Sequence, residues 1–201
     1  MFSGCSRSVY KKYETPPLLP ADAVDSYSWF RQDTGRYLFQ SSIDIYQNTF
    51  TGLLFVKPLE KSRRILFITE TGLKIFDMEF FRTADPVVHY CIDAINRKPV
   101  IKTLGKDLSL MLFNIAENDE LIMVHEKGSE KNFIRSKDKN GTRFCSISGK
   151  TGKVEELISR GGLSDKLNIK FFSERGLQPD SIEISHYNMK LKIHLVRLNE
   201  N

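Results

Sequence analysis

Four histidines (His89, His125, His186, His194), three cysteines (Cys5, Cys91, Cys145) and the close carboxylates Asp77 and Glu79 are the residues from which this chain could build a reactive site. The histidines form no HxH or HxxxH pair and the cysteines have no metal-ligand spacing, so no metal or other cofactor is expected. His186 and His194 fall in one C-terminal hairpin and read as residues of a solvated sheet face. Asp77 and Glu79, two apart in "IFDMEFF", share a strand face, close enough for paired-carboxylate chemistry. No base or nucleophile stands beside them, and charges on a strand face are usually there for solvation. The chain has no Gly-rich phosphate loop and no G-x-S-x-G, and "SRGGLSD" at 159–165 reads as a turn. An enzyme is not expected.

The cysteines divide by context. Cys91 falls on an apolar stripe at helical spacing and Cys145 within a strand pattern. Both read as small buried apolar groups, although an oxidising compartment would let them pair. Cys5 ends "MFSGC", where the small residues Ser3 and Gly4 precede it as they would at a bacterial lipoprotein cleavage site. The expected lipidation site is therefore Cys5, with an apolar segment expected upstream of Met1. Phe2 departs from the leucine usual three positions before such a cysteine.

The elements that would position these residues follow from composition and period. At 201 residues, with 40% hydrophobic and 27% charged content, the chain suits one globular domain. It contains no run of 18 apolar residues that would span a bilayer as a helix. A net charge of +5 permits attraction to anionic surfaces without demanding it. Lys166, Lys170, Lys190 and Lys192 could form a basic face, but no aromatic residues interleave them as a base-stacking platform, so nucleic acid is not an expected partner. Residues 1–28 contain "TPPLLPAD" and read as a flexible, Pro-containing tether; 29–201 read as a single domain.

Within that domain, "YLFQSSIDIY" alternates at period two, "YQNTF" offers a turn at Gln47-Asn48, and "ETGL" offers one at Thr71-Gly72. Leu53 to Val56 and Ile65 to Ile68 are apolar on both faces. Asp85-Pro86 then predicts a helix carrying Val88, Ile92 and Ile95 and ending at Pro99, and a second helix from about Leu104 carrying Leu108, Met111, Leu112 and Ile115. After these come six or seven strand patterns, with Asn140-Gly141 as the clearest hairpin turn and "MKLKIHLVRL" as a strand buried on one side. The expected fold is mainly β with a few helices. A strongly curved antiparallel sheet of about 10–11 strands forms an incomplete barrel, with two helices inserted as a lid over its mouth.

In order along the chain, "LLFVKPLEKS", "TGLKIFD", "ADPVVHYCIDAINRKPV", "LGKDLSLML" and "LQPDSIEISHYNMKLKIHLV" resemble the outer-membrane lipoprotein receptor LolB and its relatives in the Lol sorting pathway. That resemblance implies a lipid-anchored half-barrel with a hydrophobic cavity, which receives lipoproteins from a periplasmic carrier protein. It also implies that Leu59, after Pro58 in a tight turn, is the residue that touches the membrane. Lys57, Lys61, Arg63 and Arg64 surround it, and Glu60 replaces the glycine usual in the family. Burying one leucine in lipid contributes about 1.5–3 kcal/mol, and each nearby cation about 1 kcal/mol at an anionic surface. That contact is too weak to anchor the protein and suits a reversible touch.

The expected cavity lining is Phe39, Ile43, Leu53, Phe55, Phe67 and Ile75 from the sheet, with Val88, Ile92, Leu108 and Met111 from the lid. The functional expectation is a monomeric, outer-membrane-anchored lipoprotein facing the periplasm, which binds an acyl chain, phospholipid or lipidated protein. The alternative is a structural or adaptor lipoprotein of an envelope complex, its cavity filled by its own side chains.

Overall fold

The computed structural model describes residues 26–30, 35–82, 84–112, 120–125, 132–138, 141–161, 164–174 and 178–198; for 120, 121, 123–125, 132 and 138 it describes the main chain alone. Twelve strands and one helix are seen among these residues. They run β1 (Tyr37–Ile45), β2 (Asn48–Pro58), β3 (Ser62–Thr69), β4 (Lys74–Phe81), β5 (Val87–Cys91), α1 (Lys98–Met111), β6 (Glu120–His125), β7 (Asn132–Asp138), β8 (Gly141–Ile147), β9 (Val154–Gly161), β10 (Ser164–Phe172), β11 (Ser181–His186) and β12 (Leu191–Arg197). All twelve strands form one antiparallel sheet ordered β5-β4-β3-β2-β1-β12-β11-β10-β9-β8-β7-β6. The first and last strands pair at its centre. Two meanders spread outward from that seam, β5 and β6 are left as edges, and α1 lies between those two edges in the chain.

The register lines up one unbroken apolar row. Ile43, Ile193, Ile184, Ile169, Leu157, Cys145 and Ile134 face one another across seven neighbouring strands, none more than 1% exposed. On the other side of the seam, Phe39, Leu54, Phe67 and Phe76 form a second row, all fully buried. Laid flat, twelve strands would be about 55 Å wide. A fourteen-residue helix is about 21 Å long and about 10 Å across, far too small to cover that face. The inner rows stay dry only if the sheet curls on itself around α1, and open sheets of this size do curl.

A short strap completes the interior. Trp29 Nε1 donates to the Val154 carbonyl at 2.6 Å, and the Tyr37 hydroxyl donates to the Trp29 carbonyl at 2.8 Å. The Ser28 hydroxyl donates to the carbonyl of Leu112, just past the end of α1. The Phe30 ring meets Tyr37 edge-on at 4.9 Å. Residues 28–30 therefore tie both halves of the sheet to the helix from the inside.

Three expectations are corrected. Two lid helices were expected, and the described residues hold one. The stretch read as the first helix is edge strand β5, where β-branched Val87 and Val88 and aromatic Tyr90 favour extended backbone and pair with β4. Pro99 does not end a helix but opens one in the first turn of α1, where its missing N–H costs nothing. The helix thus starts six residues before Leu104. The first hairpin turn is Tyr46-Gln47, one residue earlier than read, because Ile45 pairs with Asn48; Tyr46 takes φ 57° there. The Thr71-Gly72 turn lies where expected, with the Gly72 N–H donating to the Thr69 carbonyl and Gly72 at φ 85°. Asn140 lies outside the described residues, although Asp138 and Gly141 pair across that turn.

Gly52 marks a close approach of β2 to β3. A methyl group built on it would collide with the main chain of Ile68 and Thr69, so neither side can yield by rotating a side chain. Gly52→Ala should lower stability by about 1–3 kcal/mol without changing the denaturant m-value, measured by urea unfolding; an unchanged midpoint would mean that the two strands move apart freely.

Candidate functional site

The inner face changes character along the strands. One step from the apolar row toward the Tyr46-Gln47 end, the facing positions are Ser136, Arg143, Ser159 and Leu167, with His186 after them and Leu191 and Ile45 beyond. An aliphatic band is thus bordered on one side by a row containing inward-facing polar groups.

His186 occupies that row because it continues the inward parity of Ile182 and Ile184 on β11. It was read as a solvated residue; its side chain is instead only 10% exposed, with Nε2 3.5 Å from Asp107 on α1. Nδ1 lies 2.6 Å from the Asn188 Oδ1. Asp107 is 1% exposed, and its second carboxylate oxygen has no partner. Burial raises the Asp107 carboxyl above its ordinary range, while His186 and, more weakly, Lys106 pull the other way. The hydrogen bond to Asp107, chiefly, raises the His186 pKa. The pair fastens the helix to the rim of the sheet. Asp107 went unnoticed in the sequence, although it sits on the apolar stripe with Leu104, Leu108 and Met111, where a carboxylate demands a partner. His194, between inward Ile193 and Leu195, faces out beside Glu183 and is 52% exposed, the solvated residue it was read as.

Of the residues expected to line a cavity, Phe39, Ile43, Phe67, Ile75, Leu108 and Met111 are buried in the core. Leu53 and Phe55 are corrected to the outer face. Gly52, Leu54 and Val56 take the inward positions of β2, which leaves Phe55 between Leu38 and Leu66 on the outside. Val88, on edge strand β5, is 39% exposed, and Ile92 is half-buried against the core.

The turn after Pro58 is tight, with the Leu59 N–H donating to the Ser62 carbonyl at 2.8 Å. Leu59 and Pro58 are half-buried, Lys57 and Lys61 are exposed, and Arg63 is half-buried. Arg64 is bound to Asp77 through both carboxylate oxygens at 2.7 and 2.8 Å. Cys5 lies outside the described residues.

Asp77 and Glu79 do share a face, but both are held below the usual carboxylate range. The Arg64 hydrogen bond lowers Asp77, and the Ser62 hydroxyl and then His89 lower Glu79. They are fixed anions, unsuited to donate protons. Burial pushes the Cys91 thiol up to about 11 and the Cys145 thiol up to about 12, so neither is a nucleophile at neutral pH. Among the described residues, no three His, Cys, Asp or Glu side chains are placed to hold a metal ion, and no helix is long and apolar enough to cross a membrane.

The Asp107–His186 pair sets a pH dependence. With its folded pKa raised above 6.5, His186 contributes fully below that value and loses its contribution as pH rises through the folded pKa. Asp107, raised above 3.8 by burial, adds a cost as it ionises, in the same direction. Hydrogen exchange corrected for intrinsic rates should show α1 protection falling as pH rises above 6.5, with little change in β1 and β12. His186→Gln/Asp107→Asn should abolish the difference. Equal α1 protection across that rise would contradict the pairing.

No protein-family model matches the sequence, and no curated protein matches it either. Solved structures do match. A domain assigned to outer membrane lipoprotein sorting from Vibrio parahaemolyticus superposes with TM-score 0.56 at 9% identity, covering 89% of this chain and 88% of that one. A DUF1329 family protein from Desulfovibrio piger superposes with TM-score 0.58 at 8% identity, covering 90% and 92%. At such identities the likeness is one of fold alone, an open antiparallel sheet shared with both of these structures.

Proposed function

We propose that this protein is a non-enzymatic envelope lipoprotein whose apolar interior takes up an acyl chain, from a phospholipid or a lipidated protein, in lipid or lipoprotein transfer. The observation that carries this reading is the seven-strand row from Ile43 to Ile134, unbroken by any polar side chain and sharing one core with α1, the one helix among the described residues. The fold shared with a lipoprotein-sorting domain supports it. In this reading Cys5 carries the anchoring lipid in the outer membrane. The domain then faces the periplasm as a monomer, and a periplasmic carrier protein delivers the cargo.

The energetics allow exchange between helix and ligand. Val100, Leu104, Leu108, Leu110 and Met111 are the buried apolar side chains of α1, and at about 1.5–3 kcal/mol each they hold the closed state by roughly 7–15 kcal/mol. An acyl chain of about fifteen buried CH₂ groups at about 0.8 kcal/mol each returns roughly 12 kcal/mol. A ligand therefore offsets most of what lifting the helix costs, and an empty interior closes.

The complete burial of Phe39, Leu54, Phe67, Leu104 and Leu108 favours a second reading, an adaptor lipoprotein whose interior is permanently filled by its own side chains. Native mass spectrometry of protein purified from a bacterial host separates the two. Co-purifying fatty acid or phospholipid near one per chain is expected; a lipid-free mass with no uptake of added fatty acid would sink the carrier reading in favour of the adaptor. Leu59→Glu should weaken association with anionic vesicles severalfold while leaving the melting temperature unchanged. A lowered melting temperature with unchanged vesicle binding would show that Leu59 serves the fold.

A further inference from the structure

The hairpin tips beside the start of α1 form a feature that the proposed function leaves unused. The Tyr46 N–H donates to the Lys190 carbonyl at 2.8 Å, which joins the β1–β2 tip to the β11–β12 tip. On either side of this joint lies a concavity, one of about 600 Å³ and the other of about 450 Å³, and Tyr46 and Lys190 line both. The smaller one forms a groove between the β1–β2 tip and the N-terminal end of the helix, where Ala94, Arg97 and Val100 line it.

The walls of the groove are amphipathic. Its floor includes Ile45 and Val100, both at most 3% exposed and both members of the main core, so the groove is floored by the edge of the apolar interior. Its rim carries Arg97 and Lys190, while Lys192 and Asp44, neighbours across β1 and β12, line the other concavity. His186, fastened to Asp107 on α1, lies in the wall of the larger concavity. Tyr46 and Tyr187 are 52% and 61% exposed. An exposed tyrosine and cations above a floor of core aliphatic side chains suit an apolar chain that ends in an acidic group.

We infer that this groove is the entry and headgroup site for an anionic phospholipid, its phosphodiester held by Arg97 and Lys190 while an acyl chain passes over Ile45 and Val100 beneath the helix. The inference rests on the acyl-chain reading and adds a headgroup preference to it. The polar end of the inner face lies at this mouth and the aliphatic row lies deeper, the order in which such a ligand would meet them. Because Arg97 immediately precedes α1 and Val100 sits in its first turn, a ligand seated here touches the end of the helix that must move.

The test uses the full chain with dioctanoyl phosphatidylglycerol and dioctanoyl phosphatidylcholine, each below its micelle concentration, with binding followed by calorimetry. The wild-type protein should prefer phosphatidylglycerol by about tenfold or more. The double variant Arg97→Glu/Lys190→Glu should lose about ten- to thirtyfold in phosphatidylglycerol affinity, with phosphatidylcholine binding and circular dichroism unchanged. Arg97→Gln, a milder change, should reduce the preference if the double variant fails to fold. Equal binding of both lipids by the wild-type protein, or a preference that survives these changes, overturns the headgroup site while leaving the acyl-chain reading intact. Binding of neither lipid overturns both. Inorganic phosphate that binds as tightly as phosphatidylglycerol and displaces it would assign the groove to free phosphate and overturn the lipid assignment.

Discussion

Everything in this structure depends on keeping one long apolar row out of water. Ile43 to Ile134 runs across seven strands with no polar interruption, and at about 25 cal/mol per Å² of apolar surface no flat arrangement could leave it half covered. The sheet has to curl, and the curl makes a concave interior. Gly52 lets β2 approach β3 closely, and the strap at Trp29 crosses the interior to hold the two halves together. Pairing of β1 with β12 places the seam at mid-sheet and leaves β5 and β6 as the two edges, so the interior is bounded by an open sheet.

Charge is arranged around that constraint by location. On the outer face, the Arg64–Asp77 fork and the Ser62–Glu79–His89 chain fix anions at low pKa and cross-link β3, β4 and β5 near an edge of the sheet. On the inner face, a buried ion pair is a poor source of net stability, because desolvation offsets most of the attraction. Asp107–His186 therefore makes more sense as a positional contact, which selects one seat for the helix over others that the aliphatic surface would tolerate equally well. It fixes which seat the helix takes while adding little to the apolar burial that holds it there.

Much of this was legible in the sequence where two signals agreed. "YLFQSSIDIY" and "MKLKIHLVRL" alternate at period two with polar residues between, and both are strands with the expected inward residues. Legibility failed where a pattern satisfied two periods. "LLFV" is apolar at every position, so its parity is decided by the pairing of Gly52 with Ser41 and Thr69, which no local signal reveals. Val88, Ile92 and Ile95 do recur at helical spacing, but hydrogen bonding to the edge of β4 competes for the same stretch, and its β-branched residues yield to the sheet. The polar latch was readable in principle. Asp107 lies on an apolar stripe and His186 continues an inward parity, two anomalies that explain each other only once the helix is laid against the hairpin.

The central claim is that the interior can exchange its own packing for an acyl chain. Trp29 is the protein's single tryptophan and is buried at the strap, its indole N–H bound to the Val154 carbonyl. Its fluorescence therefore reports on the interior directly. Titration with fatty acid brominated midway along the chain should quench Trp29 strongly and saturably, at about one ligand per protein. Unquenched Trp29 emission at concentrations where the same fatty acid saturates the protein surface would mean that the interior stays filled, and that the acyl-chain account is wrong.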